Sequence, residues 1–183
     1  GDDLAFLKTA TLEELMKIKG IGKVKAIQLK AICELSIRLS RPIVATGLLI
    51  KNTDQIAQMV LGEFQYEKCE LARLFLLNAR NRLLKIEDIA FGGTSFVNLD
   101  IKSIISCAMK VEANRIILVH NHPSGDCTPS QADIRFTDKL YNMLNDFNIE
   151  LLDHIVIGNM EYKSVFEYIR ELCQKARSDA NEN

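Results

Sequence analysis

Residues 115–145 combine a strand pattern and a helix pattern across one short loop, and this narrows the possible folds. The segment RIILVH (115–120) has the pattern of a buried strand, and a helix is expected from Ser130 to about Asn145 after a loop over residues 123–129. Further strands are expected at 71–77, 83–90 and 151–157, and further helices at 53–64, 100–112 and 164–175. Strands that alternate with helices predict an α/β layered domain.

Two histidines stand two positions apart where the strand at 115–120 ends. Side chains along a strand alternate in direction, so His120 and His122 are expected on one side, at positions about 6–7 Å apart along the backbone. Asp133 follows Ser130 at the expected start of the next helix, where Ser-x-x-Asp is also typical of a capping box. Two imidazoles and a carboxylate predict a catalytic zinc site that keeps one position open and activates water there near neutral pH. Exposed strand-end histidines beside a plain helix cap are the alternative.

The same segments resemble a known family. HNHPSG (120–125), SQAD (130–133) and LDHIVIG (152–158) are similar to motifs of the bacterial RadC-like proteins, which belong to the JAMM/MPN metallopeptidase-like group. The resemblance implies a JAMM/MPN (cytidine-deaminase-like) layered mixed sheet with flanking helices. It also implies one Zn²⁺ per chain, held by His120, His122 and Asp133.

Catalytic roles follow from the same resemblance. The segment ELARLFLLN (70–78) resembles the first strand of the JAMM fold, which carries the catalytic glutamate. By that resemblance Glu70 is the general base and Ser130 stabilises the oxyanion. These roles imply a zinc metallopeptidase or isopeptidase, a hydrolase acting on a protein or peptide. On composition alone, Glu63 and Glu67 are alternatives to Glu70.

Three further residues near the predicted metal site affect the prediction of catalysis. Asn121 stands between the histidines, where eukaryotic deubiquitinating relatives usually have Ser or Thr, and Cys127 lies in the adjacent loop. His154 is expected to be a core residue or a neighbour of a ligand rather than a fourth ligand. A second hypothesis therefore stays open, in which the protein is a non-catalytic, repair-linked, DNA-associated factor with a structural or vestigial metal site.

The segment LMKIKGIGKVKA (15–26) resembles a helix-hairpin-helix, a module that binds the DNA backbone without reading sequence. Residues 11–14 predict a capping box for a short first helix, and a second helix is expected from about residue 23 to 39. Two glycines allow close approach to a phosphate, the next helix directs its amides there, and lysines add positive charge. The expected contacts are Lys19, Gly20, Gly22, Lys23 and Lys25. A helical packing unit with a solvated lysine face is the alternative.

Charge is divided unevenly along the 183 residues, although the formal net charge is only −1. Residues 1–41 hold eight basic and five acidic side chains, whereas the remainder holds fifteen basic and nineteen acidic ones. Pro42 disfavours a helical conformation at the residue before it. We therefore expect a helix-hairpin-helix module at 1–41, a JAMM/MPN-like domain at 42–175 and a disordered tail at 176–183.

The cysteines and the hydropathy pattern bear on the compartment. The five cysteines are odd in number and widely spaced, without a C-x-x-C pair, so a disulfide framework is not expected. No apolar run approaches the roughly 18 residues of a membrane span, and the acidic start is unlike a signal peptide. A cytoplasmic protein without a membrane partner is expected. The pattern does not specify an oligomeric state.

Overall fold

The computed structural model describes residues 6–7, 10–40, 46–64, 67, 69–91 and 99–181. The chain divides into two compact units, Gly1–Ile43 and Val44–Asn183. The domain limits expected from the sequence, after residues 41 and 175, stay predictions. Among the described helices, none is both long enough and apolar enough to cross a membrane.

Two helices form the described part of the smaller unit, α1 (Leu12–Met16) and α2 (Lys23–Ser40). The predicted capping box is confirmed: the Glu14 N–H donates to Thr11 Oγ1 at 3.1 Å, and the Thr11 N–H donates to Glu14 Oε2 at 2.8 Å. These two bonds satisfy amides that the first helical turn leaves without partners. A small apolar core holds this unit together, made of the buried side chains Ala10, Leu15 and Ala26.

The larger unit is built on a five-stranded sheet in the order β2-β1-β3-β4-β5. Its strands are β1 (Leu71–Leu77), β2 (Leu83–Phe91), β3 (Arg115–Asn121), β4 (Glu150–Ile157) and β5 (Tyr162–Ser164). Strand β1 pairs antiparallel with β2 and β3, β3 pairs parallel with β4, and β5 pairs antiparallel with β4. The mixed sheet expected from the family resemblance is confirmed.

Helices cover both faces of this sheet: α3 (Thr53–Phe64), α4 (Ile101–Lys110), α5 (Gln131–Asp146) and α6 (Val165–Asn181). Buried side chains of α3 pack on the face that carries Phe75, Ile117 and Val119. Buried side chains of α4 and α5 pack on the opposite face, which carries Leu74 and Leu118. All seven residues of β1 are buried because both of its faces are covered.

The ends of the chain's last elements differ from the expectation. Strand β5 was not predicted, because three residues carry too little pattern to indicate a strand. Helix α6 continues to Asn181, so the expectation of a disordered tail from residue 176 is wrong for the residues up to there. Residues 176–181 contain neither Gly nor Pro, so the segment carries no strong helix breaker. The predicted breaks at Pro42 and at Gly92-Gly93 lie outside the described residues.

Candidate metal centre

Three predicted ligands meet where β3 ends and α5 begins. His120 Nε2 lies 3.1 Å from His122 Nε2 and 3.4 Å from Asp133 Oδ1. His122 Nε2 lies 3.3 Å from Asp133 Oδ2. Among the described residues, His120, His122 and Asp133 form a group whose possible ligand atoms all lie within 4.8 Å of one another.

These separations fit a zinc ion. Zinc bonds to nitrogen and oxygen of about 2.0–2.1 Å place neighbouring tetrahedral ligands about 3.3 Å apart. His120 Nε2 and His122 Nε2, 3.1 Å apart, therefore have about the spacing of two tetrahedral ligands, and each lies 3.3–3.4 Å from a different oxygen of the Asp133 carboxylate. Imidazole nitrogen and carboxylate oxygen are both common zinc ligands, and a set of three leaves a fourth position open.

The loop after β3 orients His122. Its Nδ1 lies 2.7 Å from the main-chain oxygen of Asp126, which can only accept, so Nδ1 carries the proton and Nε2 offers its lone pair. The loop turns at Gly125, whose φ of +85° suits glycine. The loop also packs closely against Gly158, the residue that follows β4. A Cβ on Gly158 would lie only 2.4 Å from the Gly125 carbonyl oxygen, so only glycine leaves room for the loop. The glycine that ends LDHIVIG thus supports the histidine loop.

His120 is fully buried, and besides His122 it contacts His154. Its Nδ1 lies 2.8 Å from His154 Nε2, and His154 Nδ1 lies 2.6 Å from Thr137 Oγ1. His154 thus contacts the side of His120 away from the other candidate ligands, in the position expected for a neighbour of a ligand. Burial holds the pKa of His120 well below its usual range and lowers that of His154 to about 4.

Helix α5 places Asp133 through its cap. The Ser130 N–H donates to Asp133 Oδ2 at 2.7 Å, and the Asp133 N–H donates to Ser130 Oγ at 3.1 Å. Burial raises the pKa of Asp133, but its contact with His122, the proximity of His120 and the hydrogen bonds with Ser130 outweigh this and hold the pKa well below the usual range. Asp133 in turn raises the pKa of His122. The capping box and the ligand position coexist, and the expected oxyanion role of Ser130 stays a prediction.

Glu70 directly precedes β1 and lies within electrostatic range of the candidate ligands His122 and Asp133. Burial raises the pKa of its carboxyl; His122 opposes this shift and Asp133 reinforces it. Its Oε2 is buried and has no hydrogen-bond partner among the described residues. The alternative Glu63 is engaged elsewhere, because Arg73 Nη1 donates to its Oε2 at 2.7 Å. A buried carboxyl oxygen lies near two candidate ligands, and the proton-acceptor role of Glu70 stays a prediction.

Asn121 holds the segment that carries Glu70, a role that the sequence reasoning missed. Its Oδ1 accepts from the Leu71 N–H at 2.7 Å, and its Nδ2 donates to the carbonyl oxygens of Glu67 and Cys69 at 3.3 and 3.2 Å. The available signal was strand alternation, which directs Asn121 to the face opposite His120.

Cys127 does not join the candidate ligands. Its side chain is buried, and burial raises the pKa of its thiol. Its backbone packs against β4's end, where a Cβ at Gly158 would lie 2.7 Å from the Cys127 nitrogen. The group within 4.8 Å found among the described residues contains no cysteine.

In the smaller unit, the hairpin between α1 and α2 has the expected local geometry. Gly20 has φ +90°, and a Cβ on Gly22 would meet nothing within 4 Å. Lys19 and Lys23 are exposed, and the first turn of α2 contains no acidic residue. Lys25 is also exposed, but its Nζ donates to the Gly20 carbonyl at 3.0 Å and so closes the hairpin. The expected DNA contacts of these residues stay predictions.

Known proteins match both units. A family model described as "RadC-like JAB domain" matches residues 50–171, and one described as "Helix-hairpin-helix motif" matches residues 7–32. A UPF0758 protein of Alkaliphilus metalliredigens is 38% identical over 166 residues, and one of Moorella thermoacetica is 39% identical over 166 residues; each match covers 91% of this chain and 72% of the relative. A UPF0758 protein of Streptococcus suis is 33% identical, and that match covers 91% of this chain and 68% of the length of the relative. The chain belongs to the RadC-like JAB-domain family and carries a helix-hairpin-helix motif before that domain.

Proposed function

We propose that this protein is a zinc-dependent hydrolase of the JAMM type that cleaves amide or isopeptide bonds. The observation that carries the proposal is the 3.1–3.4 Å spacing of His120 Nε2, His122 Nε2 and the Asp133 carboxylate. His122 already has its proton committed on the other ring nitrogen. A bound zinc would polarise the scissile carbonyl and lower the pKa of a water to about 7.

The protein's own groups would move the proton. Among the described residues no donor reaches the buried Glu70 Oε2, so it is available to accept the proton of the attacking water and return it to the leaving amine nitrogen. The raised pKa of Glu70 favours this exchange near neutral pH, since a general base works best when its pKa approaches the working pH. Ser130 at the start of α5 would donate its hydroxyl to the developing oxyanion.

The surroundings of the site favour a polymer substrate. Pro123, Ser124 and Ser130 are exposed beside the partly exposed His122, whereas His120 and Asp133 are fully buried behind them. A site that opens on a surface loop can admit an extended peptide chain, and a protein or peptide is the substrate class that we propose.

We further propose that the smaller unit binds the DNA backbone. The match of residues 7–32 to a helix-hairpin-helix motif supports this, together with the exposed Lys19 and Lys23 beside the α2 N-terminus. Such contacts neutralise phosphates without reading bases. The same match also favours the second candidate function, a non-catalytic DNA-associated factor. Glu70 separates the two hypotheses, because only a hydrolase needs a proton acceptor there.

The test is peptide cleavage by a Glu70 variant with a matched control. The zinc-loaded protein, Glu70→Gln and Glu67→Gln would each be incubated with a peptide library, and new amino termini would be identified by mass spectrometry. We expect the unchanged chain and Glu67→Gln to cleave, and Glu70→Gln to retain zinc but lose cleavage by about 10²-fold or more. Cleavage by Glu70→Gln at the unchanged rate would contradict the mechanism. Zinc without cleavage in every variant would favour the non-catalytic factor.

A further inference from the structure

We infer that Thr137 and His154 are positioning residues that dictate which nitrogen of His120 carries the proton, and so keep Nε2 available as a ligand. The inference rests on the proposed metal site and deepens it. A histidine can bind metal through Nε2 only when its single proton is on Nδ1. The protein must therefore supply an acceptor at Nδ1.

The direction of the hydrogen bonds is set at Thr137. Its Oγ1 lies 2.6 Å from the main-chain oxygen of Asp133 and 2.6 Å from His154 Nδ1. The carbonyl oxygen can only accept, so the one hydroxyl proton of Thr137 is donated to Asp133. Thr137 must then accept from His154, whose proton is therefore on Nδ1.

The same reasoning continues to the ligand. With its proton on Nδ1, a neutral His154 presents a bare Nε2, which lies 2.8 Å from His120 Nδ1. His120 must be the donor in that contact. Its Nε2 is then unprotonated and points to His122 and Asp133, at 3.1 and 3.4 Å.

Burial makes this chain of hydrogen bonds necessary. His120, Thr137 and His154 are each 0% exposed, so bulk water does not replace a missing partner. This series of hydrogen bonds starts at the backbone of Asp133 and ends at His120. It therefore links two proposed ligands through Thr137 and His154. The acceptor for His120 is the neutral imidazole of His154. A carboxylate in its place would add a second buried negative charge near Asp133.

The first test compares Thr137→Val, which removes the hydroxyl at nearly constant shape, with Thr137→Ser, which retains it. Zinc affinity would be measured by competition with a chelator of known affinity. We expect Thr137→Val to bind zinc about 10- to 100-fold more weakly, the usual effect of losing a group that orients a ligand. Thr137→Ser should restore affinity close to that of the unchanged chain. Equal affinity in Thr137→Val and the unchanged chain would overturn the inference while leaving the zinc site intact.

The second test reads the proton positions directly. Long-range ¹H–¹⁵N NMR of the zinc-loaded chain should show protonated Nδ1 on both His120 and His154, and a proton on His154 Nε2 would overturn the inference. His154→Gln offers an acceptor to His120 and should bind zinc more tightly than His154→Leu, which offers none. Equal affinities of these two folded variants would also overturn it. Failure of the unchanged chain to bind zinc would instead defeat the proposed metal site, and the inference with it.

Discussion

Asn121 Oδ1 accepts a hydrogen bond from the backbone N–H of Leu71 at 2.7 Å, which joins the end of β3 to the start of β1. The amide of the same side chain donates to the carbonyls of Glu67 and Cys69. The residue between the two proposed histidine ligands therefore holds the backbone on both sides of Glu70. Ligands and proposed base are thus positioned by one strand end.

Replacing Asn121 should separate base positioning from metal binding. Asn121→Leu leaves one backbone N–H and two carbonyls without their partner, so we expect a loss of about 2–3 kcal/mol in unfolding free energy. Zinc affinity should stay near that of the unchanged chain, while kcat on a cleaved peptide falls. Urea denaturation and zinc competition measure the first two effects. An unfolding free energy of Asn121→Leu within about 0.5 kcal/mol of the unchanged chain would contradict the role of these three bonds.

Arg73 on β1 should be important for stability. It donates from Nη1 to Glu63 at 2.7 Å and from Nε to Asp88, and its side chain is only 7% exposed. Arg73→Met leaves two carboxylates without their cation, so we expect a loss of about 3 kcal/mol in unfolding free energy by urea denaturation.

Lys85 provides the matched control for Arg73. It pairs with Glu87 at 2.6 Å, but its side chain is 51% exposed, so Lys85→Met should leave stability almost unchanged. Similar losses for Arg73→Met and Lys85→Met would contradict the importance of burial.

Asp153 should make stability depend on pH. Burial raises the pKa of its carboxyl, although Ser164 donates to Oδ1 at 2.7 Å. The folded protein therefore holds this proton to higher pH than the unfolded chain, whose Asp pKa is about 3.9. Its contribution to stability is present below about pH 4 and is lost as pH rises through the raised pKa. Asp153→Asn should remove that part of the pH dependence in denaturant titrations; an identical pH profile for both proteins would contradict it.

The hairpin unit should bind duplex DNA with a salt dependence set by its lysines. Each lysine that contacts a phosphate contributes about 0.9 to the slope of log affinity against log salt concentration. Lys19→Gln with Lys23→Gln should therefore lower the slope by about 2 and weaken binding to every sequence alike. Lys102 and Lys110, exposed on α4, provide the control pair. If Lys102→Gln with Lys110→Gln lowers the slope as much as the Lys19 and Lys23 substitutions do, DNA is not bound through the hairpin.

Local rules were sufficient to predict the proposed ligands. Strand alternation put His120 and His122 on one side, and Ser-x-x-Asp marked both the cap of α5 and Asp133. The family resemblance added Glu70 and the mixed sheet, which spacing alone did not indicate.

The supporting residues could not be predicted in this way, because their partners come from distant parts of the chain. Asn121 contacts a residue 50 positions away, and Thr137 contacts one 17 positions away. Strand β5 exists through pairing with β4, which no local pattern encodes. These contacts are products of the tertiary fold.

X-ray absorption at the zinc edge of the loaded protein tests the proposed metal site most directly. Two imidazole nitrogens from His120 and His122, with oxygen from Asp133 and solvent, should give only nitrogen and oxygen scatterers at about 2.0–2.1 Å. His122→Ala should lose one imidazole and most of the affinity. A sulfur scatterer at about 2.3 Å would place Cys127 or another cysteine on the metal and contradict the account. So would a His122→Ala variant that binds zinc as tightly as the unchanged chain.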